Sequence, residues 1–251
     1  MKNEYSVDVV IKNKVAWLTF GTPDHNALPS SALSEIERAF LALSENKDVL
    51  VIVLKSAGDR TFCAGASFKE LIAIEDETTG KAFFMGFAKV ILAMRKCPQL
   101  IIGRVQGKTV GGGVGLAAAT DYCLATKFAS VKLSEISIGI GPFVIGPAVQ
   151  RKMGVSAFSQ LSIDATEFYG ADWAHQKGLY TEVFADAEAM DAAVTTLAER
   201  LATYNPEALI ALKKMYWEGT ENWLEVLEKR AEQSGTLVLS SFTKEVLAKY
   251  K

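Results

Sequence analysis

The segment from Gly111 to Pro142 constrains the fold and chemistry of this 251-residue chain more than any other. It opens with three consecutive glycines, continues through small residues and carries a single carboxylate, Glu135, in its second half. Glycines at the start of a helix let a ligand approach bare backbone, and the first N–H groups of a helix stabilise negative charge. Glu135 has largely apolar neighbours in the sequence, which makes it a candidate proton carrier. The segment therefore predicts an anion-holding pocket with one general base.

Composition excludes several other classes of function. The formal net charge of −2 argues against a broad nucleic-acid-binding face. Three widely separated cysteines and only two histidines, without clustered ligands, argue against a disulfide framework and against a catalytic metal. The N-terminus lacks the apolar core of a signal peptide, and no apolar run is long enough to span a bilayer. These features predict a cytoplasmic protein without a membrane partner.

Hydrophobic periodicity predicts an α/β fold. Strands are expected at residues 7–12, 15–20, 49–55, 100–105, 122–125, 130–133 and 180–184, and helices at about 31–46, 81–95, 186–203, 206–216 and from 222 onward. Ser30 or Ser31 is expected to cap the first helix, and the polar run 75–80 to form a mobile active-site flap. The alternation through residues 49–120 indicates parallel strands with crossover helices. A compositional change near residue 190 suggests a core of residues 1–190 and a C-terminal helical region of residues 191–251.

A second loop of small residues, Phe62 to Ser67, also leaves a predicted buried strand and enters a helix. Two such loops could direct two backbone N–H groups at one oxygen, as in an oxyanion hole. A dinucleotide-binding turn is one alternative, but Gly111, Gly113 and Gly115 read GxGxG rather than GxGxxG, and no acidic residue ends the following strand. A purely structural glycine turn is another alternative that the pattern leaves open.

Three ordered motifs resemble the signatures of the crotonase (enoyl-CoA hydratase/isomerase) superfamily. They are FCAGASFKEL, VQGKTVGGGVGLAAATDYCLAT and SEISIGIGPFVIGPAVQRKMG, and similarity extends through HNAL and ADWAHQKGLYTEVF. The resemblance implies a crotonase spiral of ββα units in the core and a C-terminal helical trimerisation region. It also implies a homotrimer or a dimer of trimers, and an acyl-CoA substrate whose coenzyme A is part of the substrate, with no separate cofactor.

The same resemblance assigns roles to individual residues. The N–H groups of Ala66 and Gly112 would hold the thioester oxygen, and Glu135 would be the acid or base. The remaining substrate-binding candidates of the resemblance are Ala64, Gly65, Lys69, His25, Gly111, Gly115 and Pro142. Tyr250 and Lys251 resemble an aromatic and basic pair that reaches a neighbouring coenzyme A site in relatives.

One position departs from the family pattern. Hydratases of this family usually carry a first glutamate two residues after the glycine triplet, where this chain has Gly115; the second matches Glu135. The first expectation is nevertheless a hydratase of a 2-enoyl-CoA. The segment IGIGPFVIGP resembles hydratases of branched or methylglutaconyl-type substrates, and the space at Gly115 is expected to admit a bulkier acyl group. The alternatives are a 3-enoyl-CoA to 2-enoyl-CoA isomerase that uses Glu135 alone, and a non-catalytic acyl-CoA-binding paralogue.

Overall fold

The computed structural model describes residues 5–249, which form ten strands and ten α-helices. The strands are β1 (Ser6–Lys12), β2 (Val15–Gly21), β3 (Val51–Ser56), β4 (Thr61–Cys63), β5 (Leu100–Val105), β6 (Lys108–Val110), β7 (Tyr122–Thr126), β8 (Ser130–Lys132), β9 (Tyr169–Gly170) and β10 (Glu182–Phe184). The helices are α1 (Ser30–Glu45), α2 (Phe68–Ile72), α3 (Glu77–Lys96), α4 (Gly112–Ala118), α5 (Gly146–Ile163), α6 (Ala171–Gln176), α7 (Ala187–Leu201), α8 (Pro206–Tyr216), α9 (Trp223–Leu237) and α10 (Ser241–Ala248). A 3₁₀ turn, Glu135–Ile138, lies between β8 and α5.

Two sheets organise these elements. The larger has the order β1-β2-β3-β5-β7-β10, and every neighbouring pair except the β1–β2 hairpin is parallel. The smaller has the order β4-β6-β8-β9. The chain thus repeats one unit three times: a strand in the large sheet, a short strand in the small sheet, and a helix or turn. This arrangement matches the expected α/β spiral of ββα units.

The central strand β3 is buried on both faces of the large sheet. Ile52 and Leu54 belong to the main hydrophobic core, whereas Val51 and Val53 join a second core built with residues of α7. Successive side chains of a strand point to opposite faces, so a continuous apolar run is required when both faces are covered. The sequence pattern at 49–55 therefore predicted this strand correctly.

The predicted turn between β1 and β2 is confirmed, whereas the predicted cap of α1 is wrong. Asn13 and Lys14 both adopt positive φ, as a two-residue hairpin turn requires. The predicted serine cap of α1 is wrong, because the helix begins at Ser30 after Pro29 and has no side-chain cap. Instead, the Ser30 N–H and hydroxyl both donate to Glu70 Oε2, at 2.9 and 2.6 Å.

The polar run at residues 75–80 is not a flap. Asp76 caps α3 through a reciprocal capping box with Thr79, so the helix begins at Glu77 rather than near residue 81. Gly80 then packs against the backbone of Gly235 in α9, and a Cβ there would lie 2.9 Å from Gly235 Cα. Close helix packing therefore anchors the end of this run.

The helices after residue 186 pack onto the rest of the fold. Asp121, at the end of the α4 segment, accepts hydrogen bonds at 2.8 Å each from Lys213 Nζ, Trp217 Nε1 and the Ile101 N–H. Its side chain and that of Lys213 are buried. The expected boundary near residue 190 lies inside α7, and the division into a core and an oligomerisation region stays a prediction. No helix within residues 5–249 is long and apolar enough to cross a membrane.

Candidate active site

The two glycine-containing loops meet side by side. Gly65 and Gly111 have φ values of +95° and +53°, which favour glycine. A Cβ on Gly65 would lie 3.2 Å from the Val110 carbonyl oxygen and 3.8 Å from the Gly112 nitrogen, and one on Gly113 would lie 2.7 Å from Cys63 Cβ. The absence of side chains thus lets the loops pack together.

At this junction, the backbone N–H groups of Ala66 and Gly112 donate no hydrogen bond within the described residues. The Leu28 N–H donates to the Gly65 carbonyl and the Ser67 N–H donates to the Leu28 carbonyl, at 2.8 and 2.9 Å. Because peptide groups alternate in direction along an extended segment, the Ala66 N–H points away from Leu28. Gly112 begins α4, where the first N–H groups have no partner inside the helix. Both residues line one cavity.

This cavity has a volume of about 420 Å³ and a largely apolar wall. Aromatic rings from α3 form one side, and residues after the 3₁₀ turn form another. Its lining includes Phe83, Phe84, Phe87, Leu71, Ile138, Ile140, Phe143, Val144 and Ile145. A Cβ on Gly112 would clash with the Phe87 ring, so glycine is needed there for the ring to pack beside the amide. The wall therefore offers a mostly apolar surface beside the two amides.

Glu135 places its carboxyl group beside Gly111 in the cavity that the two amides line. It begins the 3₁₀ turn that Gly139 ends in the left-handed conformation, and its Oε1 lies 3.0 Å from where a Cβ on Gly111 would be. Glu135 Oε2 is out of contact with solvent and has no hydrogen-bond partner among the described residues. Burial raises the pKa of this carboxyl to about 7, because the charged form is poorly solvated. A carboxyl group with such a pKa can both take up and release a proton near neutral pH.

Glu135 is the single carboxylate among the described residues that line the cavity. At the position where related hydratases carry another glutamate, a Cβ on Gly115 would lie 2.5 Å from Ile145 Cγ2. Gly115 itself does not line the cavity, whereas Ile145 does. The expectation that Gly115 opens space for a bulkier acyl group is therefore wrong, because Ile145 occupies that space.

The structure brings most of the predicted site residues together. Those that line the cavity are Ala64, Gly65, Ala66, Gly111, Gly112, Glu135 and Pro142. His25 and Lys69 are exposed and lie outside the lining, and their roles toward coenzyme A stay predictions. Tyr250 and Lys251 lie outside the described residues. Cys63 is fully buried, and burial raises the pKa of its thiol to about 12, which keeps it protonated.

Sequence reasoning missed two parts of the lining. The first is the aromatic wall, whose signal was the spacing of Phe83, Phe84 and Phe87 on one face of a helix. The second is a set of polar residues near Glu135, namely Lys132, Ser134 and Ser137. Nothing in the local sequence distinguished these three from surface residues. In the described part of the chain, no three His, Cys, Asp or Glu side chains are grouped to hold a metal ion.

Comparison with known proteins gives a consistent result. A family model described as enoyl-CoA hydratase/isomerase matches residues 10–248. A peroxisomal Delta(3,5)-Delta(2,4)-dienoyl-CoA isomerase of Arabidopsis thaliana is 28% identical over 240 residues, covering 88% of this chain and 84% of that protein. Carnitinyl-CoA dehydratase of Escherichia coli K12 is 28% identical over 211 residues, covering 84% and 80%.

Solved structures share the fold. The enoyl-CoA hydratase of Bacillus halodurans superposes with a TM-score of 0.89 at 19% identity, covering 97% of this chain and 99% of that one. An enoyl-CoA hydratase/carnitine racemase of Magnetospirillum magneticum superposes with a TM-score of 0.79 at 26% identity, covering 85% of this chain and 82% of that one. With the family model spanning nearly all of the described residues, the chain belongs to the enoyl-CoA hydratase/isomerase family, and its fold is the crotonase fold.

Proposed function

We propose that this protein converts a 3-enoyl-CoA into the conjugated 2-enoyl-CoA. The observation that carries the proposal is that the described cavity lining contains one carboxylate, Glu135, while Ile145 fills the place of a second one. Isomerisation needs a single group that removes one proton and returns it two carbons away. Hydration needs a water molecule that is held and deprotonated, for which related enzymes usually employ two carboxylates.

The reaction follows from the positions of three groups. The thioester oxygen accepts hydrogen bonds from the Ala66 and Gly112 N–H groups, and the Glu135 carboxylate takes a proton from C2. The electron pair of the broken C–H bond delocalises into a dienolate, whose negative charge rests on the thioester oxygen. Glu135 then returns the proton to C4, which leaves the double bond between C2 and C3. Losing one such N–H donor typically lowers turnover by about 10²–10³-fold.

The apolar wall contributes to this chemistry in two ways. It offers the acyl chain an apolar surface, and its burial of Glu135 raises the carboxyl pKa to about 7. A proton carrier whose pKa lies near the working pH serves equally well as base and as acid, which a shuttle requires.

Hydration of a 2-enoyl-CoA is the second candidate, and one observation favours it. Ser134 and Ser137 line the cavity near Glu135, so a hydroxyl group could assist one carboxylate in orienting water. The names of the relatives include both an isomerase and a dehydratase, so they support either reaction. Because Ile145 occupies the space at Gly115, a branched or methylglutaconyl-type substrate is supported only by the resemblance of the IGIGPFVIGP segment.

Two ultraviolet assays of the conjugated thioester distinguish the candidates. One supplies a 3-enoyl-CoA and measures the appearance of conjugation; the other supplies a 2-enoyl-CoA and measures its loss. We expect a gain of signal with the 3-enoyl substrate that a Glu135→Gln variant lacks. Loss of signal with the 2-enoyl substrate alone would favour hydration, and unchanged activity in the variant would contradict both mechanisms.

Three further expectations remain proposals. The resemblance supports a homotrimer or a dimer of trimers, and composition supports a cytoplasmic location. The absence of a separate metal or redox cofactor is likewise expected from the family chemistry, in which coenzyme A arrives as part of the substrate.

A further inference from the structure

Two lysines of the small sheet flank a single aromatic ring. Lys108 Nζ lies 5.2 Å and Lys132 Nζ lies 5.1 Å from the centroid of the Phe168 ring. Phe168 is 43% exposed, Lys108 is exposed and Lys132 is partly buried. We call Lys108, Lys132 and Phe168 the basic lip.

The basic lip adjoins the active-site cavity. Val110 of β6 pairs with Lys132 of β8, so their side chains lie on the same face of the small sheet, and both residues line the cavity. Lys108 precedes Val110 by two positions and shares that face. Lys132 also accepts the Gly111 N–H through its carbonyl group, which places its backbone directly beside the glycine loop. Lys132 is therefore the residue of the basic lip that belongs to the cavity wall beside the glycine loop.

The positive charge of the basic lip is not neutralised within the described residues. Neither Lys108 nor Lys132 has a carboxylate oxygen within 4 Å there. Lys132 Nζ donates one hydrogen bond of 2.8 Å to the Thr166 carbonyl, which leaves two of its three N–H groups available. Two like charges beside one ring repel each other, and a bound anion would relieve that repulsion.

We propose that the basic lip binds an anionic oxygen group of the acyl-CoA substrate. This inference rests on the proposed function and narrows its substrate class. Two parts of such a substrate offer that chemistry: a carboxylate at the far end of the acyl chain, and a phosphate of coenzyme A. Either group would accept charge-assisted hydrogen bonds from Lys132 at the cavity and be attracted by Lys108 beyond it.

The test compares two substrates of equal chain length, hex-3-enoyl-CoA and hex-3-enedioyl-CoA, which differ by a terminal carboxylate. The corresponding 2-enoyl pair is used if the wild type proves to be a hydratase. Kinetics are measured for the wild type, Lys132→Met, Lys132→Arg and a matched control, Lys127→Met. Lys127 also faces an exposed ring, Phe128 at 5.1 Å, but does not line the cavity.

If the lip binds an acyl carboxylate, Lys132→Met lowers kcat/KM for the dicarboxylic substrate alone, by about 10- to 100-fold and mainly through KM. If the lip binds a phosphate, Lys132→Met lowers kcat/KM by the same factor for both substrates, and inhibition by free coenzyme A weakens in parallel. In either case Lys132→Arg keeps most of the wild-type kcat/KM, and Lys127→Met leaves kcat/KM unchanged. Added salt reduces the difference in kcat/KM between the wild type and Lys132→Met.

The inference is overturned if Lys132→Met leaves both substrates unchanged. It is also overturned if both substrates lose activity while inhibition by free coenzyme A stays the same, because that pattern indicates general damage to the glycine loop. A wild type that turns over none of the four substrates would instead contradict the proposed function itself.

Discussion

Replacing Glu135 by Gln should stabilise the folded protein at alkaline pH while abolishing its turnover. Burial disfavours the charged carboxylate, and no hydrogen bond to Oε2 within the described residues compensates for this. Glutamine has nearly the same shape and carries no charge at any pH. The substitution therefore removes the cost of holding a charge in the cavity, and the effect must depend on pH.

The magnitude follows from the change in pKa. The carboxyl pKa is about 7 in the folded protein against an ordinary value of 4.5. Because the folded state binds the proton more tightly, the carboxyl lowers the free energy of unfolding progressively as the pH rises from about 4.5 to 7. Above pH 7 this contribution no longer changes. A difference of this size corresponds to about 3 kcal/mol at about 1.4 kcal/mol per pH unit. For a chain of this length, that is roughly 6–12 °C in Tm.

The assay is thermal unfolding of the wild type and Glu135→Gln at pH 5 and pH 8. Since other groups titrate in both proteins, the difference in Tm between them isolates Glu135. We expect this difference to grow in favour of the variant by most of the calculated amount between the two pH values. Glu225→Gln is the control, because Glu225 is exposed and the hydrogen bond from Lys229 lowers its pKa. A difference that does not change with pH would refute the burial argument.

Three further outcomes are expected. Lys213→Met leaves the buried Asp121 carboxylate without its cation and should cost about 3–5 kcal/mol of unfolding free energy in urea titrations; a loss below 1 kcal/mol would contradict the buried ion pair. Gly115→Ala should cost about 1–3 kcal/mol because its Cβ meets Ile145, and adding Ile145→Val should recover part of that cost; equal effects in both backgrounds would contradict the contact. The kcat/KM of the isomerisation should rise with pH through about 7 as Glu135 ionises, and a pH-independent rate would argue against Glu135 as the base.

Several features were predictable from the sequence because their causes are local. The continuous apolar strand at Val51 to Leu54 and the proline-initiated helix Pro206–Tyr216 each carry their signal within a few residues. The glycine triplet and Glu135 were identified by the motifs in which they occur, and Gly111, Gly112 and Glu135 line the cavity.

Other features depend on partners that are distant in the sequence. The space at Gly115 is filled by Ile145, thirty positions later, and no local pattern at Gly115 indicates this. The basic lip exists only because strands β6 and β8 pair in register. Phe168 comes from the segment between α5 and β9, more than thirty positions after Lys132. The start of α3 was missed for a different reason: a polar run was interpreted as mobile, although Asp76 and Thr79 have the spacing of a capping box.

The central claim is that one carboxylate, Glu135, carries the proton from C2 to C4. A single-turnover experiment with a 3-enoyl-CoA deuterated at C2, in ordinary water, tests it most directly through mass and NMR analysis of the product. Because Glu135 Oε2 is out of contact with solvent, we expect part of the deuterium to appear at C4 in the wild type and no product in Glu135→Gln. Product whose new C4 hydrogen comes entirely from solvent, or turnover that persists in the variant, would contradict a shuttle by this one group.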